Sequence, residues 1–553
     1  MAGLGVVVSL LLSIMCVVAG GVGVSVLGVE GVLSGLVNVS LGAQDLAFAF
    51  CYGGGVSPMV VVVMMVFSMV LVFTVVYMVS EVEYNSFLAF VGLFVIGMLI
   101  LVSAQGVYSG LVGWEILGVV SFILIGYYGS RTSWGSALVT MGINRVGDVG
   151  FMVLSLIMVF LLSGLNGGGV LSSVIWVVGL LGGVLILTKS SQFPCTGWHP
   201  LAMAAPTSVS ALVHSFTLVV ACLVVGVYLW EVMSIMGVIK SLCLLMGVLT
   251  LISSSFSVLW EMDFKKVVGL STSIHLKIML LMLVVSGTGL AMVYMVVHAL
   301  FKSLLFVAVV YIILLNTHDQ DYRGVLGLGG LFSVVSGMVV LSSVWSLVGL
   351  VGFSGWVTKD ALLESVYVQG GGVVVSMLVV ALSCSLMYSW KVLVTAIGSG
   401  AAQSLEGVGW SVGGGLFMAM GAMSCMGVSV GWVVEGSLDS SVAVGVIGGL
   451  EKWSYWMVGV LVMGLILGWS LVSPVGANML YLQDLYRVVV GGLTILGVLL
   501  FSKVEIMAGS VIVGSVVEGE MGSLQAAAGL LKALDMWAMF VGVLLFTVIL
   551  IAI

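Results

Sequence analysis

Apolar residues fill most of this chain, and the polar ones that interrupt them are few enough to be taken singly. Apolar runs of helical length lie at roughly 4–28, 58–79, 85–105, 109–129, 137–163, 169–192, 204–229 and 236–259. They continue at roughly 267–287, 289–315, 330–352, 372–396, 410–434, 454–473, 486–502 and 536–553. A run of about 20 apolar residues crosses the hydrocarbon core of a bilayer as a helix. The pattern therefore predicts an all-α polytopic membrane protein with about 15–16 transmembrane helices. A shorter segment at 356–368 follows Gly352 and Gly355, carries Lys359 and Asp360, and reads as a half-helix behind a break. The connectors at 81–84, 130–134, 261–266 and 316–323 carry too little charge to fix an orientation. Residues 29–57 read as a long glycine-rich loop, and 503–535 as an interfacial segment whose glycines at 509, 514, 519, 522 and 529 argue against one clean helix.

Two interruptions stand out. Residues 189–214, KSSQFPCTGWHPLAMAAPTSVSALVH, hold three of the five prolines (Pro194, Pro200 and Pro206), with Lys189 before them and His214 after. Proline removes a backbone donor and breaks a helix. In lipid such a break persists only where protein or a hydrated cavity satisfies the freed backbone. The second interruption, at 352–360, falls at a comparable place in the next set of runs. Paired broken segments point to the ion path of a transporter.

Composition narrows the class further. With 62% hydrophobic and 7% charged residues in 553, the chain excludes a soluble domain and leaves one membrane domain surrounded by lipid. The net charge of −7 forms no tail or patch, so no nucleic-acid partner is expected. Seven scattered cysteines with no CxxC pair predict no disulfide framework, iron–sulfur cluster or zinc site. The first basic residue is Arg131, so neither a secretory signal nor a transit peptide is expected. Seventy-six glycines and abundant valine suit a G- and T-rich coding strand. Such bias suits a strand-biased mitochondrial genome, and a chain this apolar with no presequence is most simply made next to its membrane, in an organelle or a bacterium.

The ionisable residues inside the runs carry the functional reading. A charge at the bilayer centre costs about 2.5–3.5 kcal/mol on the lenient insertion scale. Yet Glu115, Asp148, Lys189, Lys277, Lys302 and Lys359 lie in or at the edge of apolar runs, with His214, His275 and His298. Snorkelling toward the interface accounts for Lys189 or Asp360 near a run's end, but not for Glu115, His214, His298 and Lys302 together. A row of buried carboxylates, amines and imidazoles is the material of a proton relay. Tyr294, His298 and Lys302, at i, i+4 and i+8, share one helix face. Arg145 and Asp148, at i and i+3, form a supporting pair, and Trp114 reads as packing.

These residues sit in recognisable motifs: GWE at 113–115, NRVGD at 144–148, KSSQF at 189–193, W-x-P-L-A-M-A-A-P-T at 198–207 and VSALVHS at 209–215. DFKKVV at 263–268, HALFKSLLF at 298–306, QDYR at 320–323 and GWVTKD at 355–360 follow in order. Over roughly 85–395 the chain resembles the chain 5 family of NADH-ubiquinone oxidoreductases, the distal antiporter-like subunits of respiratory complex I. The resemblance implies two inverted five-helix repeats, each with one broken helix. It also implies a path in which Glu115 pairs with Lys189, His214 follows, His298 and Lys302 form the central axis, and Lys359 and Asp360 lie near the exit. Asp148 matches the family's buried aspartate.

The implied function is proton translocation coupled to electron transfer from NADH to ubiquinone, with no cofactor in this chain. NADH, FMN, iron–sulfur clusters and ubiquinone would be bound by other subunits. The implied partners are the other membrane subunits of the complex, antiporter-like subunit 4 first among them. Mrp-type cation/proton antiporter subunits share the fold and motifs and are the alternative.

The implied organisation is N-terminal spans and a loop at 1–84, an antiporter-like core at 85–400, and further spans at 401–502. A shortened lateral segment with an anchor helix follows at 503–553. Relative to the family the N-terminus reads as one span short. Four core positions depart from the family pattern: Tyr294 stands where histidine is usual, Ser208 where proline is, His199 where leucine is, and Lys277 where glycine is.

Overall fold

A computed structural model describes residues 35–41, 44–50 and most of 56–397, together with Ser424. The expected runs at 4–28 and beyond 410, the interfacial segment, and the readings of a missing first span and a shortened lateral segment lie outside the described residues. All described residues belong to one compact unit, Met1–Leu480, and the second unit, Tyr481–Ile553, falls outside them.

The loop expected at 29–57 contains a hairpin instead. Strand β1 (Gly35–Leu41) pairs antiparallel with β2 (Gln44–Phe50), with Val37 opposite Phe48 and Val39 opposite Leu46. The cause is visible in the residues: Val37, Val39 and Leu41 alternate with Asn38 and Ser40, and Leu46, Phe48 and Phe50 with Ala47 and Ala49. That is the period of two proper to strands.

The rest is helical. In chain order the helices are α1 (Val56–Tyr77), α2 (Tyr84–Ser103), α3 (Val107–Ile125), α4 (Arg131–Leu162), α5 (Gly168–Lys189) and the single turn α6 (Trp198–Leu201). They continue as α7 (Thr207–Ser215), α8 (Leu218–Ser234), α9 (Gly237–Trp260), α10 (Phe264–Val285) and α11 (Thr288–Leu315). The last three are α12 (Val334–Val348), α13 (Ser354–Val368) and α14 (Gly372–Ile397). Among the described residues eight stretches are long and apolar enough to cross a membrane: α2, α3, most of α4, α7 running into α8, α9, α10, most of α11, and α14. Shorter apolar helices occupy Pro58–Thr74, Trp176–Lys189 and Val339–Val348.

Grouped by order, α2, α3, α4, α5 with α6, and α7–α8 form one set of five. The second set is α9, α10, α11, α12 with α13, and α14. The fourth crossing of each set is the broken one. Because five is odd, the second set starts on the membrane side opposite the first, which inverts the repeats.

Burial locates the centre. The whole apolar core of α10 and 89% of the cores of α7–α8 and α11 are buried, against 50% for α2, α9 and α14. A helix apolar all round belongs inside other helices. The outer helices turn Ile96, Leu138, Leu156, Leu180 and Leu245 outward, a surface suited to lipid. Many hydroxyls inside the bundle bond to their own helix, as Ser271 does to Val268 O (2.6 Å) and Thr272 to Gly269 O (2.6 Å). This satisfies them where water is scarce.

Candidate functional site

The first cluster lies where α3, α4 and α5 meet. At Gly147 a side-chain carbon would collide with Thr188 Oγ1, so α4 and α5 pack backbone to side chain at that level. Their next residues in sequence, Asp148 and Lys189, then face each other with Nζ 3.3 Å from Oδ1. Asp148 also accepts a hydrogen bond from Trp114 Nε1 (2.6 Å), and Lys189 Nζ sits 3.5 Å from the centre of the Trp114 ring. Arg145 stands between the two carboxylates, 2.6 Å from Glu115 Oε2 and 3.4 Å from Asp148 Oδ2. The four charges alternate, Glu115–Arg145–Asp148–Lys189, and sum to zero.

This geometry corrects the pairing of Glu115 with Lys189. The short ion pairs are Glu115 with Arg145 and Lys189 with Asp148, so the glutamate acts on the lysine only from a longer distance. Glu115 and Arg145 keep about a quarter of their side chains exposed, whereas Asp148 and Lys189 are buried. Trp114, read as packing, belongs to the cluster.

The first break follows directly. Ser191 takes a left-handed φ of 52°, an arrangement costing about 1–2 kcal/mol for an L residue. Lys277, which reaches across from α10, donates to Ser190 O (3.2 Å) and Ser191 Oγ (3.0 Å). Gln192 Nε2 donates to Ser190 Oγ (3.1 Å) while its Oε1 accepts from Thr250 (2.6 Å). Trp198 Nε1 donates to Thr188 O (3.0 Å), and Lys265 Nζ to Ala205 O (2.5 Å). Lys277 and Lys265 address backbone carbonyls of the broken segment, Gln192 ties it to Thr250 on α9, and Lys277 gains a role that its position in the sequence did not suggest.

Beyond the break the chain brings two imidazoles together. His199 Nε2 lies 3.2 Å from His214 Nδ1 and 3.1 Å from Thr272 Oγ1 on α10. On α11, His298 Nδ1–H donates to Ser215 O (3.2 Å), and Lys302 Nζ donates to Ser271 Oγ (2.6 Å). Tyr294, His298 and Lys302 are all fully buried on this helix, as their spacing predicts. Tyr294 OH meets His275 Nδ1 at 2.5 Å, and the His275 ring lies 5.5 Å from that of His298. A second imidazole thus stands beside His298, supplied by α10 rather than by α11.

The second break is built around Gly349, whose φ of 81° is open to glycine and whose Cβ would lie 3.0 Å from Gly355 O. Lys359 on α13 reaches back to Leu347 O (2.5 Å) and Val348 O (3.0 Å), the last carbonyls of α12. Its ammonium meets the negative end of that half-helix. Asp360 is half-buried beside it, and Glu364, which sequence reasoning did not single out, is buried one turn further on. Among the described residues no group of three or more His, Cys, Asp or Glu side chains could hold a metal ion.

Residues 104–385, half of the chain, match the family described as NADH:quinone oxidoreductase/Mrp antiporter, transmembrane. The chain belongs to this family. Among its curated relatives, NADH-ubiquinone oxidoreductase chain 5 of Mytilus edulis is 36% identical over 297 residues, covering 52% of this chain and 50% of that protein. Chain 5 of Ascaris suum is 36% identical over 299 residues, 53% of each. The chain thus matches about half the length of these relatives. Among solved structures, the Mrp complex from Dietzia sp. DQ12-45-1b contains a chain similar at a TM-score of 0.72 and 20% identity, covering 98% of this chain and 60% of that one. At that identity the likeness shows the fold. The family match spans both breaks and every ionisable residue described above, so a multi-pass, antiporter-like membrane fold is established for the part that holds the site.

Proposed function

We propose that this chain is a proton-translocating membrane subunit of an NADH:ubiquinone oxidoreductase, located in the mitochondrial inner membrane beside other antiporter-like subunits. One observation carries it: ionisable groups, all buried except the partly exposed Glu115 and Arg145, run from the Glu115–Arg145–Asp148–Lys189 cluster, through His214 and Lys302, to Lys359, and each end lies at a helix break. Similarity to chain 5 proteins supports the complex and the location over the Mrp alternative. The NADH, FMN, iron–sulfur clusters and ubiquinone of the reaction are held by other subunits.

In this reading Lys189 rests on Asp148, and Arg145 ties that pair to Glu115. A displacement of Arg145 toward Glu115 leaves Asp148 wholly to Lys189, and a displacement toward Asp148 weakens that hold. The proton released from Lys189 passes by way of His214 to Lys302, with His298 supporting the axis, and Lys359 delivers one at the second break. The test is Lys302→Ala in the full chain within its membrane complex, scored as protons translocated per NADH oxidised in sealed vesicles. The reading expects a lower ratio with the complex assembled. An unchanged ratio sinks it, and recovery of the chain with small antiporter subunits in place of flavin and iron–sulfur subunits transfers it to the Mrp class.

A further inference from the structure

The two imidazoles beside the first break form an arrangement of which the path above uses only His214. His199 lies on α6, the single turn inside the break, and His214 on α7. Both are fully buried. Their rings meet edge to face with centroids 4.6 Å apart, and the nitrogens in contact are His199 Nε2 and His214 Nδ1. The two outer nitrogens, His199 Nδ1 and His214 Nε2, have no hydrogen-bond partner. A buried polar atom without a partner is costly, and native structures keep few of them. Two at opposite ends of one bonded pair of rings make a wire with both terminals free.

Thr272 sets the resting state of that wire. Its hydroxyl spends its one proton on Gly269 O at 2.6 Å, so toward His199 Nε2, 3.1 Å away, it presents a lone pair. His199 therefore rests with its proton on Nε2, pointing at Thr272 Oγ1 and His214 Nδ1, and with a lone pair on Nδ1. The neighbouring residue Ser271 accepts from Lys302.

We infer that His199 is a further proton-carrying residue, forming with His214 a two-imidazole wire between the first break and the Lys302 axis. A proton binds the Nδ1 lone pair of His199 and makes it an imidazolium. The Nε2–H bond of His199 then breaks as a new N–H bond forms at His214 Nδ1. His199 returns to neutral, and His214 releases its own Nε2 proton toward the axis. One proton enters and one leaves, with no change in oxidation state.

The inference rests on the proposed translocation, so its test runs beside the Lys302→Ala test. His199→Gln puts an amide near Nε2, able to bond to Thr272 and His214 but unable to take up and release a proton. Measured in the full chain within its assembled complex, His199→Gln is expected to lower protons per NADH by the same amount as Lys302→Ala. A wild-type ratio for His199→Gln beside a lowered one for Lys302→Ala overturns the wire alone. Wild-type ratios for both overturn the translocation reading itself. If His199→Gln fails to assemble, Thr272→Val decides. It keeps both imidazoles and releases the tautomer, so pumping should slow several-fold, and an unchanged rate overturns the wire.

Discussion

Asp148, rather than Glu115, holds the buried lysine, and the difference can be measured. Asp148→Asn removes the charge with little change of shape and keeps an oxygen for Trp114 Nε1. Lys189 is then left buried with only the Trp114 face, 3.5 Å away, in place of a carboxylate at 3.3 Å. At an effective dielectric constant near 20, a pair at that distance is worth about 5 kcal/mol. Repulsion between Lys189 and Arg145, which Asp148 screens, is then unscreened and adds to the loss. Breaking a buried pair from one side costs about 3–5 kcal/mol in measured cases, and this site belongs in that range. Glu115→Gln should cost only about 0–1 kcal/mol, because both Glu115 and Arg145 remain about a quarter exposed.

The assay is a double-mutant cycle on Asp148→Asn and Lys189→Met, with unfolding of the full chain followed by SDS titration in mixed micelles. Lys189→Met alone should be the milder single change, since Asp148 keeps Arg145 at 3.4 Å and Trp114 at 2.6 Å. The double variant should recover most of the loss, for a coupling of about 3 kcal/mol. Additivity within about 0.5 kcal/mol would refute the pairing, and so would a larger loss from Glu115→Gln than from Asp148→Asn.

Lys277→Met removes the two hydrogen bonds that Lys277 makes at the first break and leaves Ser190 O without its ammonium. A loss of about 1–3 kcal/mol is expected, with greater protease access at 189–206, and unchanged stability and access would remove Lys277 from the break. Gly349→Ala forces a Cβ into the left-handed region 3.0 Å from Gly355 O, whereas Gly287, at φ 94°, has nothing within 4 Å of the position a Cβ would take. Both should lose about 1–3 kcal/mol from backbone strain. Gly349→Ala should lose more by the steric contact, and equal losses would show that the second break yields freely.

Much of the helical frame could be read from the chain because its signal is local. Most apolar runs between 58 and 396 become single helices within a few residues of the expected ends, although the run at 204–229 divides into α7 and α8 and the run expected from 137 begins at Arg131, and both breaks lie where the prolines and glycines put them. The hairpin at 35–50 was missed because glycine content outweighed an alternation that was present in the residues. The partners inside the site were hidden for another reason: they depend on which helices touch. Nothing in the spacing of Glu115, Arg145, Asp148 and Lys189 says that Arg145 will stand between the carboxylates, because α4 must first be placed against both α3 and α5. Lys277 and His275 are separated by one residue on α10, yet one caps the first break and the other faces Tyr294. Only the position of α10 at the centre of the bundle, with neighbours on every side, gives both a partner.

The two breaks solve the same physical problem with the same group. A helix that stops inside the membrane leaves carbonyls without partners and the negative end of its dipole unshielded. At the first break the ammonium arrives from a neighbouring helix, as Lys277 on α10. At the second it arrives from the following half-helix, as Lys359 on α13. In both, the lysine bonds to the backbone rather than to a carboxylate, so its charge and the shape of the break are one variable. Charge-assisted hydrogen bonds are roughly twice as strong as neutral ones. If Lys359 gives up a proton in the proposed path, its bonds to Leu347 O and Val348 O weaken together and the end of α12 loosens. Proton release would thereby unfasten the break that the proton crosses, and the return of the proton would fasten it again. That coupling follows from carbonyls held by the amine that titrates, and so it belongs to any membrane helix whose broken end is capped by a single titratable amine.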